Sequence, residues 1–165
     1  MNKSQKETEF LDLIKKHQNI IHKICFVYSN NKYDRQDLYQ EIILQLWKSF
    51  SSFKSQSAFS TWMYRVALNT AITVRKKQNI FVYTENPPTG ISNNNEHFID
   101  LSEEIKILYN AIGHLKKVEK AIILLWLEEK SYEEIAGTIG ISIKNVSVKL
   151  VRIKAKLAEI IEKLQ

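Results

Sequence analysis

From Ala58 to Lys77 the chain runs without a proline or glycine, long enough for about five helical turns. On a 3.6-residue wheel Phe59, Met63, Val66, Thr70 and Val74 share one side, the expected core face. Trp62, Arg65, Asn69 and Lys76 share a second strip. An aromatic plate, two cations and an amide can hold a phosphate backbone and stack on, or pair with, an unstacked base. The same residues also suit an amphipathic core helix with an inward Trp and solvated charges, and this segment alone leaves both readings open.

The remainder of the chain reads the same way. Four glycines and two prolines in 165 residues argue against a turn-rich β-sandwich, and the long periodic stretches predict an all-α fold of two small helical domains. Glu7 to Tyr28 reads as a first helix with Phe10, Ile14, Ile21, Ile24 and Tyr28 on one face. His17 and His22 are five apart, a spacing that does not put both on one metal. Asp34 to Phe50 reads as a second helix with Asp34 as N-cap and Leu38, Ile42 and Leu46 as core stripe. Its other side carries Asp37, Gln40, Glu41, Leu44 and Lys48. An apolar Leu44 among polar groups points to a protein partner, although a lone exposed leucine is common. Cys25, the single cysteine, excludes an internal disulfide and reads as a small buried apolar residue.

Charge divides the chain. Residues 1–80 carry 13 lysines and arginines against 6 acids, residues 81–105 carry none against 5, and residues 106–165 carry 11 against 7. Two basic blocks around an acidic one suggest two polyanion-binding modules on a tether. Pro87-Pro88, Gly90 and Ser92-Asn93-Asn94-Asn95 mark residues 79–102 as that linker. Fully extended it reaches at most roughly 80 Å, and two turns of DNA span about 70 Å.

Beyond the linker, helix resumes at Ser102-x-x-Ile105 through Leu108, Ile112 and Leu115, with Gly113 as a break. Val118 to Leu127 is apolar around most of its circumference and reads as the buried centre of a bundle, too short to span a membrane. Ser131-Tyr-Glu-Glu134 is a capping box opening a helix that stops at Gly140, and Ser142 caps a longer helix to about Lys163. On that last helix Val146, Leu150, Ile153 and Leu157 face inward, and Lys144, Asn145, Val148, Lys149, Arg152 and Lys156 outward. This pattern predicts a helix-turn-helix whose second helix suits the major groove, and a plain three-helix bundle with a solvated basic face is the alternative.

Phe59-Ser-Thr-Trp-Met-Tyr-Arg-Val-Ala-Leu-Asn69, preceded by Asp37-Leu-Tyr-Gln-Glu-Ile-Ile-Leu-Gln-Leu-Trp47, resembles region 2 of bacterial sigma-70 factors. Ser131-Tyr-Glu-Glu-Ile-Ala-Gly-Thr-Ile-Gly-Ile-Ser-Ile-Lys-Asn-Val146 resembles region 4. Both, joined only by a short linker, are similar to the extracytoplasmic function (ECF) group of RNA polymerase sigma factors. The resemblance implies region 2 at residues 1–78, a linker at 79–102 and region 4 at 103–165. It implies docking of Asp37, Gln40, Glu41 and Leu44 on the polymerase β′ clamp helices, and a further contact with the β flap. Trp62, Arg65, Asn69 and Lys76 would open and hold the promoter's downstream element (around −10). Lys144, Asn145, Val148, Lys149 and Arg152 would read the upstream element (around −35) as duplex. An inhibitory anti-sigma protein is a further partner that such a resemblance admits.

Five positions depart from the pattern, two of them, Lys144 and Val148, in the recognition helix, where the family often has small or polar residues. Met63 stands where a second Trp of the melting helix is found in primary sigma factors, and Val66 replaces the next polar reader. Leu115-Lys116 replaces a common Leu-Pro ahead of the central helix, so that helix is expected to start differently.

Two other classes fit the sequence less well. A stand-alone two-domain helix-turn-helix regulator would need neither the Asp37/Leu44 surface nor the aromatic-cation strip. An enzyme would need a phosphate loop, a zinc-ligand cluster or grouped carboxylates, and the sequence shows none of these. No cofactor or membrane insertion is expected. With no signal-peptide core at the N-terminus, the expected location is cytoplasmic.

Overall fold

The structure, a computed structural model, describes residues 2–74 and 101–165. Seven helices account for most of these residues, and no strand occurs among them. They form two compact units, one built from α1 (Lys3–Tyr28), α2 (Lys32–Phe50) and α3 (Phe59–Thr73), the other from α4 (Glu103–Ile112), α5 (Lys117–Leu127), α6 (Tyr132–Ile139) and α7 (Ile143–Leu164).

In the first unit each helix packs on the other two. The start of α1 lies further upstream than periodicity indicates, because Asn2 accepts from the Gln5 amide at 2.8 Å while Gln5 Oε1 accepts from the Asn2 amide at 3.1 Å. Phe10, Ile14, Ile21, Ile24 and Tyr28 are all buried, as expected. The cap of α2 is Asn31 rather than Asp34. Asn31 Oδ1 accepts from the Asp34 amide at 2.9 Å, and its Nδ2 donates to the Asp34 carboxylate at 2.8 Å. Asp34 therefore sits in the first turn, where a carboxylate also favours the positive end of the helix dipole.

Leu44 corrects the expected exposed leucine, since only 4% of its surface is accessible. The reason lies in the position of α2, which packs against both α1 and α3. A helix with two neighbours buries more than one stripe, and Leu44 lies one turn before Trp47, which is also buried. The Phe10 ring meets Trp47 and Phe50 edge-on at 5.1 and 5.2 Å, and Lys6 Nζ lies 4.7 Å from the Trp47 ring. Cys25 is buried as expected, and burial pushes its thiol pKa well above the usual range. His22 is buried and stacked on Tyr39 with centroids 5.0 Å apart, while His17 packs on Phe59 at 5.5 Å.

The inner face of α3 is rotated from the expected stripe. Met63, Tyr64, Ala67, Leu68, Thr70 and Ala71 are buried, whereas Phe59, Val66 and Val74 are only partly covered. Because α3 packs on both α1 and α2, its covered face is wider than one bulky stripe and takes in small Ala67 and Ala71. Thr70 satisfies its hydroxyl by donating to the Val66 carbonyl at 2.7 Å.

In the second unit the Ser102 hydroxyl accepts from the Ile105 amide, and α4 packs on α7. Despite Leu115-Lys116, α5 begins at Lys117, because Glu119 Oε2 reaches back to the Lys116 amide at 2.9 Å. Ala121, Ile122, Ile123, Leu124 and Leu125 are all buried, as the apolar run implied. The expected capping box opens α6, with the Glu134 amide donating to Ser131 Oγ at 3.1 Å and the Ser131 amide to Glu134 Oε2 at 2.9 Å.

Candidate nucleic-acid interfaces

The interface of the second unit is set by the turn between α6 and α7. Gly140 has φ +84, the left-handed region that favours glycine. The amides of Gly140 and Ile141 both donate to the Ala136 carbonyl, at 2.8 and 3.2 Å. This closes α6 and lets the chain turn into α7 over three residues. Ser142 Oγ accepts from the Asn145 amide at 3.1 Å and starts α7. Ala136 on α6 is buried, and α6 packs on α7. A short capped helix, a glycine turn and a long second helix form a helix-turn-helix.

Val146, Leu150, Ile153 and Leu157 are the buried residues of α7, as expected. Lys144, Asn145, Val148, Lys149 and Arg152 are all exposed, so the structure gathers the expected upstream-element residues on one solvent-facing surface. Lys156 departs from the expected outer face. Its Nζ pairs with Glu119 Oε2 at 3.1 Å, tying α7 to the start of α5. Lys154 Nζ lies 4.0 Å from the Trp126 ring centre, a cation–π contact that also turns this cation toward its own bundle. Burial alone would raise the pKa of Glu119. The Lys116 amide and the Lys156 ammonium outweigh it, and the carboxyl is held below its usual range. Ile143 and Val151 are exposed on α7 as well. Neither is among the residues expected from the sequence on the outer face of this helix.

In the first unit the strip on α3 holds for its described members. Arg65 and Asn69 are exposed and Trp62 is partly exposed, on the side away from Met63, Ala67 and Ala71. Lys76, the fourth member, lies outside the described residues. Trp62 does not stand alone as a wedge. Its ring packs against Phe53, Phe59 and Phe50 with centroids at 5.0, 5.3 and 6.4 Å. These aromatic neighbours, which sequence reasoning did not group, hold the indole in one orientation. The signal was available: Phe50, Phe53, Phe59 and Trp62 recur at steps of three to six across the connector. Met63, at the position of the second tryptophan of primary sigma factors, is fully buried.

On α2, Asp37 and Gln40 are exposed and Glu41 is partly exposed, its carboxylate accepting from Gln45 at 2.9 Å. Three of the four expected polymerase contacts therefore present surface, and buried Leu44 does not. Among the described residues no group of three or more His, Cys, Asp or Glu could hold a metal ion, and no helix is long and apolar enough to cross a membrane.

Comparison with known proteins follows the same division. Residues 13–80 match Sigma-70 region 2, and residues 105–157 match Sigma-70, region 4. An ECF RNA polymerase sigma-E factor of Haemophilus influenzae is 28% identical over 92% of this chain and 87% of its own length. Among solved structures, the sigma factor RpoE in complex with the anti-sigma factor NepR, from Bartonella quintana, has a TM-score of 0.67 at 17% identity. That match covers 93% of this chain and 97% of RpoE. CnrH in complex with the cytosolic domain of CnrY has a TM-score of 0.65 at 18% identity, over 97% and 94% of the two chains. With both sigma regions in order, each on its own helical unit, the chain belongs to the ECF group of the sigma-70 family of RNA polymerase sigma factors.

Proposed function

We propose that the two helical units divide the work of a sigma factor, which directs promoter-specific transcription initiation by RNA polymerase. Residues 1–78 serve as region 2, residues 79–102 as the tether and residues 103–165 as region 4. The observation that carries this reading is the coexistence in one chain of region 2 and region 4, each with its polar readers on solvent-facing helix surface.

Region 2 docks on the β′ clamp helices of core polymerase through Asp37, Gln40 and Glu41. Leu44 contributes by shaping α2 from within. The exposed strip of Trp62, Arg65 and Asn69 holds the unpaired strand of the −10 element, with Lys76 as a further contact. The indole supplies a stacking plate, and Arg65 and Asn69 contact backbone or base. Region 4 reads the −35 element as duplex through Lys144, Asn145, Val148, Lys149 and Arg152, and contacts the β flap. Phosphate contacts supply much of the affinity and make it salt-dependent. The protein acts by binding rather than by chemistry, uses no cofactor and works in the cytoplasm. An anti-sigma partner is supported by the fold shared with RpoE, which was solved with one.

The test is core-polymerase pull-down combined with run-off transcription from a promoter library, with this chain as the sole specificity factor. Transcripts beginning at a fixed distance below a shared two-part motif support the reading. Duplex binding without polymerase association would instead identify a stand-alone regulator. Within the same assay, Trp62→Ala should impair opening while polymerase binding persists.

A further inference from the structure

The solvent side of α7 carries more than cations. Its core stripe, Val146, Leu150, Ile153 and Leu157, has a counterpart shifted by two residues: Lys144, Val148, Val151 and Ala155. A two-residue shift on a helix lands on nearly the opposite side, so this second column points most directly away from the bundle. At its centre are two valines, Val148 at 42% exposure and Val151 at 69%. Valine is a poor choice for a merely solvated helix face. Its branched carbon restricts χ1 and lowers helix propensity, and its apolar surface stays wet.

The surroundings specify what covers these valines. From Ile143 to Ala158 there is no acidic residue, and Lys144 opens the column while Arg152 and Lys149 lie along one side of it, all exposed. The charge complement of such a surface is a polyanion. A polyanion that also offers an apolar group to a helix is duplex DNA. In its major groove the thymine C5-methyl is the apolar feature among hydrogen-bonding edges, and aliphatic side chains pack on it.

We propose that Val148 and Val151 read thymine C5-methyl groups of the upstream promoter duplex, with Lys144 and Arg152 anchoring the helix in the groove. The proposal rests on residues 103–165 being the duplex-binding unit. It makes sequence choice at these positions a matter of shape and methyl burial rather than of hydrogen bonds.

The test uses holoenzyme assembled from core polymerase and this chain, on a promoter obtained from the run-off selection. Each thymine of the upstream element is replaced in turn by deoxyuridine, which removes the methyl and keeps the pairing, and affinity is measured by competition at fixed salt. Wild type is expected to lose roughly fourfold at each thymine whose methyl is buried. Val148→Ala or Val151→Ala should no longer distinguish thymine from deoxyuridine at the matching position. Both substitutions raise helix propensity, so the fold is retained. Wild-type indifference to deoxyuridine at every position, an upstream element without thymine, or discrimination that survives in both valine variants would overturn the proposal. Scrambling the element separates the two levels. If wild type ignores deoxyuridine but loses affinity on scrambling, only the methyl readout fails. If it ignores scrambling too, the reading of the second unit fails with it.

Discussion

The presentation of α7 depends on the turn at Gly140, and two glycines three residues apart allow that dependence to be measured. A Cβ added at Gly137 or at Gly140 would meet nothing within 4 Å. Alanine at either position therefore clashes with no neighbour, and backbone conformation alone decides the outcome. Gly137 lies inside α6, where alanine is favoured over glycine by about 1 kcal/mol. Gly140 sits at φ +84, where an L-residue with a Cβ costs roughly 1–2 kcal/mol, partly offset by the lower entropy of the unfolded chain. Gly137→Ala should thus stabilise the second unit by about 1 kcal/mol, and Gly140→Ala should destabilise it by about as much. The gap of about 2 kcal/mol corresponds to roughly a thirtyfold difference in the opening equilibrium. Hydrogen exchange of the full chain, followed by mass spectrometry on α6 and α7 peptides, reads that equilibrium directly. Gly140→Asn should fall between wild type and Gly140→Ala, because asparagine tolerates the left-handed region. Equal effects of the two alanines, or a neutral Gly140→Ala, would refute the assignment of Gly140 as the left-handed pivot.

Three further outcomes follow from the packing. Leu44→Ala should destabilise the first unit by about 2–5 kcal/mol, the cost of emptying a buried leucine site, as read by urea titration. Polymerase binding lost at full stability would mean that Leu44 is a surface contact after all. Glu119→Ala, which removes both the Lys116 amide acceptor and the Lys156 ion pair, should cost roughly 1–2 kcal/mol, and Glu119→Gln less. Because the folded pKa of Glu119 is depressed, its contribution is present above the unfolded carboxyl value and lost as pH falls through the folded one. A wild-type stability advantage over Glu119→Gln that persisted at the acid end would contradict this. Cys25, buried with its thiol pushed up, should resist alkylation at mildly alkaline pH until the first unit unfolds, and rapid labelling of the folded chain in a mass-spectrometric time course would contradict its burial.

Local signals determined a large share of this protein. The capping box at Ser131 and Glu134, the Ser102 and Ser142 caps and the stop at Gly140 involve residues within a few positions of each other, so their outcome is independent of the rest of the fold. The α7 core stripe was equally legible, because a helix packed along one side buries one stripe and its apolar residues show a single period. Tertiary structure decided what more than one neighbour decides. Leu44 looks exposed on a wheel, but α2 has a helix on two sides. The inner face of α3 is set by its packing on both α1 and α2, which no property of α3 alone reveals. The orientation of Trp62 comes from Phe50, Phe53 and Phe59, brought together across a connector. Lys156 is drawn off the basic face by Glu119, thirty-seven residues away. Periodicity reports which side of a helix is apolar, and only the assembled bundle determines how many sides are covered and which charges meet a partner.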